Sequence, residues 1–416
     1  MSASAIEYLD SFTWLGSRPG LERVSELLNR LDNPQNKLKF VHLAGTNGKG
    51  STACFISEIL QAAGYRTGLF TSPFIHVFNE QMQINGEMIS DEDLEYVVNK
   101  IKIHADAMED HPTTFELVTA ASFCWFLEKN CDIVVLETGM GGALDSTNVI
   151  QSPELSVITP IDMDHMEFLG RTITDIATAK AGIIKQGRPV VIAKQHPEAT
   201  AVLTRVAAEH NTTITEADKI IQGEFSFQGQ HFSCGSFSDL FIKLLGRYQM
   251  DNAALAVKAI ELLDWDISES AIRNGLQSAN WLGRFELAAE NPPTIVDGGH
   301  NAQGAIVLAD NLKRYFPDKP VIFVMGILAD KDIQTIVSPI LPLAKQFFTI
   351  TPDSPRAMPA VDLAEYISKQ GVMAVPMGNV DIALEQAKEL SGTDDIVCYF
   401  GSLYSIGAVR NALKAI

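Results

Sequence analysis

The sequence predicts an α/β protein of two domains, each built on a mostly parallel, doubly wound sheet. Three observations predict it. Short apolar runs bounded by glycine, proline and polar residues alternate with stretches of helical periodicity. The alternation halts at EFSFQGQHFS (224–233), where aromatics alternate about a glycine as in a small antiparallel hairpin, and then resumes. The length of 416 residues is that of about two or three typical domains.

Taken in order, Leu21, Val24, Leu27, Leu28 and Leu31 recur at helical spacing near the start. KFVHLAG (39–45) reads as a buried strand, broken by a glycine-rich loop and followed by a helix to about Ala63. Further strands are expected at YRTGLFTSP (65–73), CDIVVLETG (131–139), LSVITPID (155–162) and RPVVIAKQ (188–195), with helices such as Phe115 to Leu127 between most of them. A second series begins after ANWLGRFELAAENPP (279–293), where a helix gives way to a turn and two prolines. It runs through TIVDGGH, KPVIFVMGIL, KQFFTITP, GVMAVP and DIVCYFGS, with helices at VDLAEYIS and VDIALEQAKEL. The expected domains are therefore 1–290, a P-loop-type domain with a small added antiparallel sheet, and 291–416, a smaller Rossmann-like domain.

Composition narrows the function. Apolar content of 46% and charged content of 20% are those of a soluble globular chain. A net charge of −19 disfavours nucleic acid or an anionic membrane as partner, because both demand a Lys/Arg excess. MSASAIEYLD has neither the basic start nor the apolar core of a signal peptide. No apolar run reaches the ~18 residues of a membrane span. The five cysteines (Cys54, Cys124, Cys131, Cys234, Cys398) are scattered without C-x-x-C and read as reduced core thiols. A cytoplasmic, monomeric enzyme acting on small molecules is the expectation.

Polar, glycine-rich segments follow the apolar runs at AGTNGKGST, Thr71-Ser72-Pro73, Glu137-Thr138-Gly139, Asp162 to His165, and Asp297-Gly298-Gly299-His300-Asn301. In open α/β sheets ligands bind beyond the carboxyl ends of strands, so these tips are expected to line one crevice between the two domains. In the first segment, Gly45 and Gly48 let backbone N–H groups turn inward, and Thr46, Asn47 and Gly50 complete the loop before a helix N-terminus, a ready phosphate site. Lys49 supplies a mobile cation for phosphates, and Ser51 or Thr52 a hydroxyl for magnesium. The segment departs from G-x-x-x-x-G-K-[ST]: Leu43 stands where the first glycine belongs, and Gly50 follows the lysine. A tight turn with a solvated lysine is the bland alternative.

Ser72 and Glu137 offer the oxygen donors Mg²⁺ prefers. A carboxylate ending the run IVVL needs a partner to stay charged. His165 is a less usual magnesium ligand, and a hydrogen-bonded histidine at a strand end is its competing reading. Asp162 and Asp164 read as capping or supporting residues. Lys180, among small apolar residues in TAKAGIIKQG, either snorkels to solvent or is a desolvated amine able to add to carbon dioxide and become an anionic carbamate.

Taken together, these motifs resemble the folylpolyglutamate synthase and dihydrofolate synthase family of the Mur ligase superfamily. The resemblance rests on AGTNGKGS (44–51), TSPF (71–74), FNEQMQINGEMI (78–89), TFEL (114–117), ETGMGGALDSTN (137–148), DHMEFLG (164–170), AKAGIIK (179–185), GRYQMDNAALA (246–256), WLGRFE (281–286), DGGHN (297–301), GILADKD (326–332) and FGSLYSIG (400–407), in order along nearly the whole chain. In this family's phosphate loop the lysine is followed by glycine, so the misfit Gly50 becomes informative.

The resemblance implies an ATP-dependent amide ligase that adds L-glutamate to a folate, or to dihydropteroate, through an acyl phosphate. It implies magnesium held by Ser72, Glu137 and His165, with Lys180 carbamylated, and ATP contacted by the loop together with Asn252, Arg284 and Asp297. Lys49, Lys180, Asp297 and His300 would serve catalysis, and His300 and Ser402 would face glutamate. The pterin-bearing acceptor would lie near Arg18, Pro19, Gly20 and Leu21, near Phe115 and Glu116, and near the loop from Ala143 to Asp145. Closure of the two domains would keep water from the acyl phosphate. The chain departs from the family pattern at Ala143 and Gln81, each in place of an arginine, at Ala179 in place of a glutamate, and in DGGHN for DGAHN; the first two bear on acceptor preference.

Two rivals remain. A Mur ligase of cell-wall precursors usually carries a nucleotide-sugar domain of roughly a hundred residues before the loop, whereas here the loop starts at Gly45. A nucleotide-dependent switch or other non-catalytic binder would need neither Lys180 nor a second domain, and N-K-x-D is absent.

Overall fold

The computed structural model describes residues 3–415. The chain forms two compact units. The first holds the chain up to Gly223 with His231–Ile242 and Gln249–Ala279; the second holds Glu224–Gln230, Lys243–Tyr248 and the chain from Asn280 onward.

The main sheet of the first unit contains β1 (Phe40–Ala44), β2 (Thr67–Phe70), β3 (Met82–Ile84), β4 (Glu87–Met88), β5 (Ile133–Glu137), β6 (Leu155–Ile158), β7 (Val190–Ile192) and β8 (Ile214–Glu216), in the order β4-β3-β2-β5-β1-β6-β7-β8. Its strands are parallel apart from the antiparallel additions β3 and β4 at one edge. FVHLA and IVVLE are wholly buried, as expected of strands covered on both faces by helices. The registers Leu43↔Glu137 and Ala44↔Ile158 bring the carboxyl ends of β5, β1 and β6 side by side, and this juxtaposition builds the site.

Helices follow the expected pattern, with N-termini set by side-chain caps. Thr113 and Glu116 form a capping box on the helix Thr114–Glu128, and Thr172 and Asp175 form one on Ile173–Ala181. Leu27 and Leu28 of the helix Glu22–Arg30 are fully buried. The aromatic hairpin is present as β9 (Ile220–Ser226) and β10 (Gly229–Cys234), and β11 (Phe237–Ile242) extends it to three strands in the order β11-β10-β9. β3, β4 and β8 were not legible as strands, since two or three residues carry no period-two signal.

The second unit has β12 (Glu286–Glu290), β13 (Pro293–Asp297), β14 (Val321–Met325), β15 (Ala344–Thr349), β16 (Ala374–Pro376) and β17 (Ile396–Phe400), in the order β12-β13-β17-β14-β15-β16. All pairings are parallel except β12 with β13. That antiparallel pair explains the placement of the boundary: a division after 290 would part β12 from β13. Among the described residues no helix is long and apolar enough to cross a membrane, and four of the five free cysteines are buried, with Cys131 half-buried.

Candidate active site

The glycine loop hangs between β1 and the helix Lys49–Ala62, and its shape is forced. Gly45 has φ +153°, and a Cβ there would fall 1.8 Å from Thr159 Oγ1. Gly48 has φ +86° at the helix N-cap, and its Cβ would fall 2.5 Å from Asn252 Oδ1. No L side chain suits either place. Thr46 and Asn47 donate their backbone N–H groups to Pro160 O at 2.9 and 3.4 Å, and the Thr46 hydroxyl donates to Asp162 O at 2.9 Å. Beyond Gly48 the first turn of the helix leaves backbone N–H groups unused within the helix, which favours an anion.

Cationic side chains gather here. Lys49 Nζ lies 3.3 Å from Thr46 O and 3.9 Å from Glu137 Oε1. Lys180 is 4% exposed, and its Nζ donates to Gly45 O at 2.5 Å. Burial, and then the charge of Lys49, lower the Lys180 pKa to about 7, against opposing pulls from Asp164 and Asp145. The downward shift favours the amine form, as the desolvated reading requires. Lysine snorkelling to solvent is ruled out by this burial.

Glu137 closes β5 at 4% exposure, and its Oε2 accepts the Ser72 backbone N–H at 3.4 Å. The Glu137 carboxylate beside Lys49 is an oxygen donor of the kind a hydrated magnesium ion takes. His165 is exposed, with φ +48°, at the head of the short helix Met166–Leu169. Among the described residues no three His, Cys, Asp or Glu side chains converge as a metal site; the expected set contains only two of those types, so its fit rests on Glu137 and Ser72. Asp162 and Asp164 each accept the N–H of the following residue.

Of the two hydroxyls after the lysine, Ser51 accepts from Gln249 Nε2 at 3.2 Å. Thr52 is fully buried, and its Oγ1 finds no hydrogen-bond partner. Gln249 in turn accepts from Asn252 Nδ2 at 3.0 Å, so the structure brings the expected Asn252 against the loop by way of a residue that sequence reasoning passed over. The signal was available, since Gln249 and Asn252 are three apart on one helix face.

The expected acceptor residues also meet. A Cβ on Gly139 would lie 2.6 Å from Phe115 Cζ, so the phenyl ring seals the end of β5. Gly20 N–H donates to Leu144 O at 3.3 Å, joining the segment Arg18, Pro19, Gly20 and Leu21 to the loop of Ala143 and Asp145. Ala143 N–H donates to Ala179 O at 2.7 Å, and Asn148 Nδ2 bridges Ala143 O and Gly182 O, each at 3.1 Å. This loop is therefore fastened to the helix that carries Lys180.

Two of these residues, Glu116 and Asp145, turn inward. Glu116, 1% exposed, accepts from Thr113 N, Thr113 Oγ1 and Arg23 Nε. Asp145, 6% exposed, accepts from Met140 N, Thr147 N and Thr147 Oγ1. Burial raises its pKa, partly offset by these donors. Arg18 forms a two-pronged pair with Asp110. Arg23, unmarked in the sequence reading, donates to Arg18 O at 2.5 Å and to Glu116 at 3.1 Å, holding the segment in place.

In the second unit Asp297 ends β13. Its Oδ2 accepts Phe285 N–H at 2.9 Å and its Oδ1 accepts Gly299 N–H at 2.7 Å. Burial raises its pKa, opposed by the Gly299 N–H and the Arg284 charge. Gly298 N–H donates to Gly283 O, and Arg284 Nη1 to the same carbonyl, so WLGRFE and DGGHN form one knot. His300 Nδ1 lies 3.0 Å from Gly298 O; a carbonyl only accepts, so Nδ1 carries the proton. Ser402 is 1% exposed, and its Oγ accepts Tyr404 N–H as a helix cap.

Residues 43–260 match the Mur ligase middle domain family, and residues 283–403 match the Mur ligase glutamate ligase domain. Over 98% of its length the chain is 40% identical to the dihydrofolate synthase/folylpolyglutamate synthase of Bacillus subtilis, 99% of which is covered. It is 34% identical to the folylpolyglutamate synthase of Lacticaseibacillus casei, covering 98% of this chain and 97% of that one. The Mycobacterium tuberculosis folylpolyglutamate synthase solved with ADP and AMPPCP matches at TM-score 0.92 with 28% identity, covering 99% of each chain. Escherichia coli FolC solved with DHPP and ADP matches at 0.88 with 28% identity, covering 100% of this chain and 98% of that one. Loop geometry, strand-tip chemistry and full-length similarity agree, and the chain belongs to the folylpolyglutamate synthase/dihydrofolate synthase family of Mur ligases.

Proposed function

We propose that the protein is an ATP-dependent ligase that joins L-glutamate to the carboxylate of a folate, and also to dihydropteroate, releasing ADP and phosphate. The observation that carries this reading is the gathering of Lys49, Lys180 and Glu137 around a glycine loop whose neighbouring strand tip holds Phe115 and the 139–148 loop. A phosphate-binding cradle thus adjoins a separately built pocket wall, as transfer of a phosphoryl group to a second substrate requires.

A carboxylate is a poor electrophile, so its oxygen first takes the γ-phosphoryl group of ATP. The amine of glutamate then attacks the acyl phosphate carbon, the amide forms and phosphate leaves. Loop N–H groups and Lys49 neutralise the charge of the first step. Magnesium, when bound, adds to that neutralisation, and Glu137, Ser72 and His165 would hold it. The Lys180 amine adds to carbon dioxide with loss of a proton, and the resulting carbamate would place a negative charge beside that site. Asn252, Arg284 and Asp297 are assigned to ATP, and His300 and Ser402 to glutamate, whose attacking amine must be unprotonated. Arg18 to Leu21, Phe115 and Ala143 are assigned to the acceptor, with Glu116 and Asp145 holding that wall in shape. The working form is taken as a cytoplasmic monomer.

The test is to incubate the protein with Mg-ATP, radiolabelled glutamate and either dihydropteroate or tetrahydrofolate. One ADP is expected per amide formed with each acceptor. Failure to form amide with both would sink the reading; turnover of only one would restrict it.

A further inference from the structure

His42 has no part in the reaction as derived so far, although it lies in the middle of β1 and is fully buried. Its Nε2 is 2.9 Å from Thr147 Oγ1. The Thr147 hydroxyl has one proton, which it donates to Asp145 Oδ1 at 2.6 Å. The proton between ring and hydroxyl therefore comes from the ring, and His42 is the Nε2–H tautomer. Nδ1 is then a bare acceptor, and it finds no hydrogen-bond partner. Burial, and next the charge of Lys185, keep the ring neutral.

The relay continues outward. Asp145 Oδ2 accepts Met140 N–H at 2.8 Å and its Oδ1 also accepts Thr147 N–H at 3.0 Å, so one carboxylate closes the loop from 140 to 147. At the tip Leu144 is 57% exposed, and its carbonyl receives Gly20 N–H. A histidine suits the inner end of the relay because Thr147 has spent its only proton and needs a donor of fixed direction.

We propose that His42 is a positioning residue for the pterin-bearing acceptor: through Thr147 and Asp145 it fixes the 139–148 loop, and the Gly20 segment joined to it, in the shape that receives that substrate. The inference rests on the assignment of this loop to the acceptor. It makes an unusual demand, because His42 is three residues from Gly45 of the phosphate loop and far along the chain from Thr147. General damage to β1 would weaken ATP first, whereas loss of the relay weakens the acceptor.

Steady-state kinetics of the full chain, with ATP and tetrahydrofolate varied separately, tests it in His42→Leu, His42→Gln, Thr147→Val and Leu144→Asp. His42→Leu and Thr147→Val should each raise the acceptor KM about tenfold, the scale of one lost buried hydrogen bond, while the ATP KM stays within about twofold. Glutamine keeps a donor near the Nε2 position, so His42→Gln should recover most of the loss. Combining His42→Leu with Thr147→Val should add little to either alone. Equal rises in both KM values, no rise, or a glutamine variant as poor as leucine would overturn the inference. Thermal unfolding checks that each variant is folded in the assay; should His42→Leu not fold, Thr147→Val with its ATP control decides. Leu144→Asp addresses the underlying assignment. An unchanged acceptor KM there removes the loop from the acceptor site, whereas a rise there with none in His42→Leu overturns only the role of His42.

Discussion

Two neighbouring strands of one sheet end in loops that are held by opposite means. The loop after β1 is shaped by its backbone: two glycines at positive φ are pressed against Thr159 and Asn252, and its N–H groups bond to Pro160 O. The loop after β5 is shaped by buried side chains, with His42, Thr147, Asp145 and Asn148 bonded to one another and to loop backbone. Under the proposed function the first receives phosphates, and the N–H groups left for them are those of the first turn of the helix Lys49–Ala62. The second commits its polar side chains inward and leaves Leu144 outward, so under the proposed function the tip is where residues would differ with the acceptor. The proposed function thus separates a backbone-built cradle for phosphates from a side-chain-built wall for the acceptor.

The largest effect that would sharpen this contrast is Lys49→Ala. Removing the only side-chain cation close to both Thr46 O and Glu137 among the described contacts should lower the phosphoryl-transfer rate about a thousandfold, measured as ADP release in single turnover. Retained ADP release would move the phosphate site elsewhere. Lys180→Ala comes next: at least a hundredfold loss is expected, on the order of one removed charge-stabilising group, with partial recovery on adding a short carboxylate such as formate. Unchanged turnover in that variant would remove the carbamate from the mechanism.

Asp145→Asn probes the other loop. It leaves the side chain in place but presents an NH2 group where a carboxylate oxygen accepts from Met140 or Thr147, so a stability loss of about 1–3 kcal/mol is expected by urea unfolding. A loss of similar size in ATP affinity would contradict the separation of the two loops.

The smallest effect is a pH slope. Burial, and next Lys185, lower the His42 pKa from 6.5 to about 3. Between those values the unfolded chain binds a proton that the folded chain does not, so stability rises with pH through this window and is lost as pH falls from about 6.5 toward 3. The contribution is at most ~1.4 kcal/mol per pH unit. His42→Gln should lack it, and the check is the difference in urea midpoints between variant and parent at pH 7 and pH 5. Equal differences at the two pH values would mean that His42 is not buried as a neutral ring.

Much of the architecture was legible before any coordinates. The runs FVHLA, IVVLE and VIFVM are strands because apolar β-branched residues cluster between loop residues. The glycine loop and the tips at Glu137 and Asp297 stood out as reactive residues at strand ends, and Lys180 as a lysine among small apolar residues. By itself the sequence determined which strands form, where ligands can gather and which chemistry the residues suit, since periodicity and residue type are local properties. Only the tertiary structure decided that Glu116 and Asp145 face inward, that Gln249 joins Asn252 to Ser51, that Arg23 ties the Arg18 segment, and that His42 reaches Thr147. The contacts of Gln249 with Ser51, Arg23 with Glu116 and His42 with Thr147 join residues distant in the chain and depend on which elements become neighbours, which local composition does not encode. Glu116 and Asp145 are bonded to near neighbours in the chain, but the surrounding packing sets their burial.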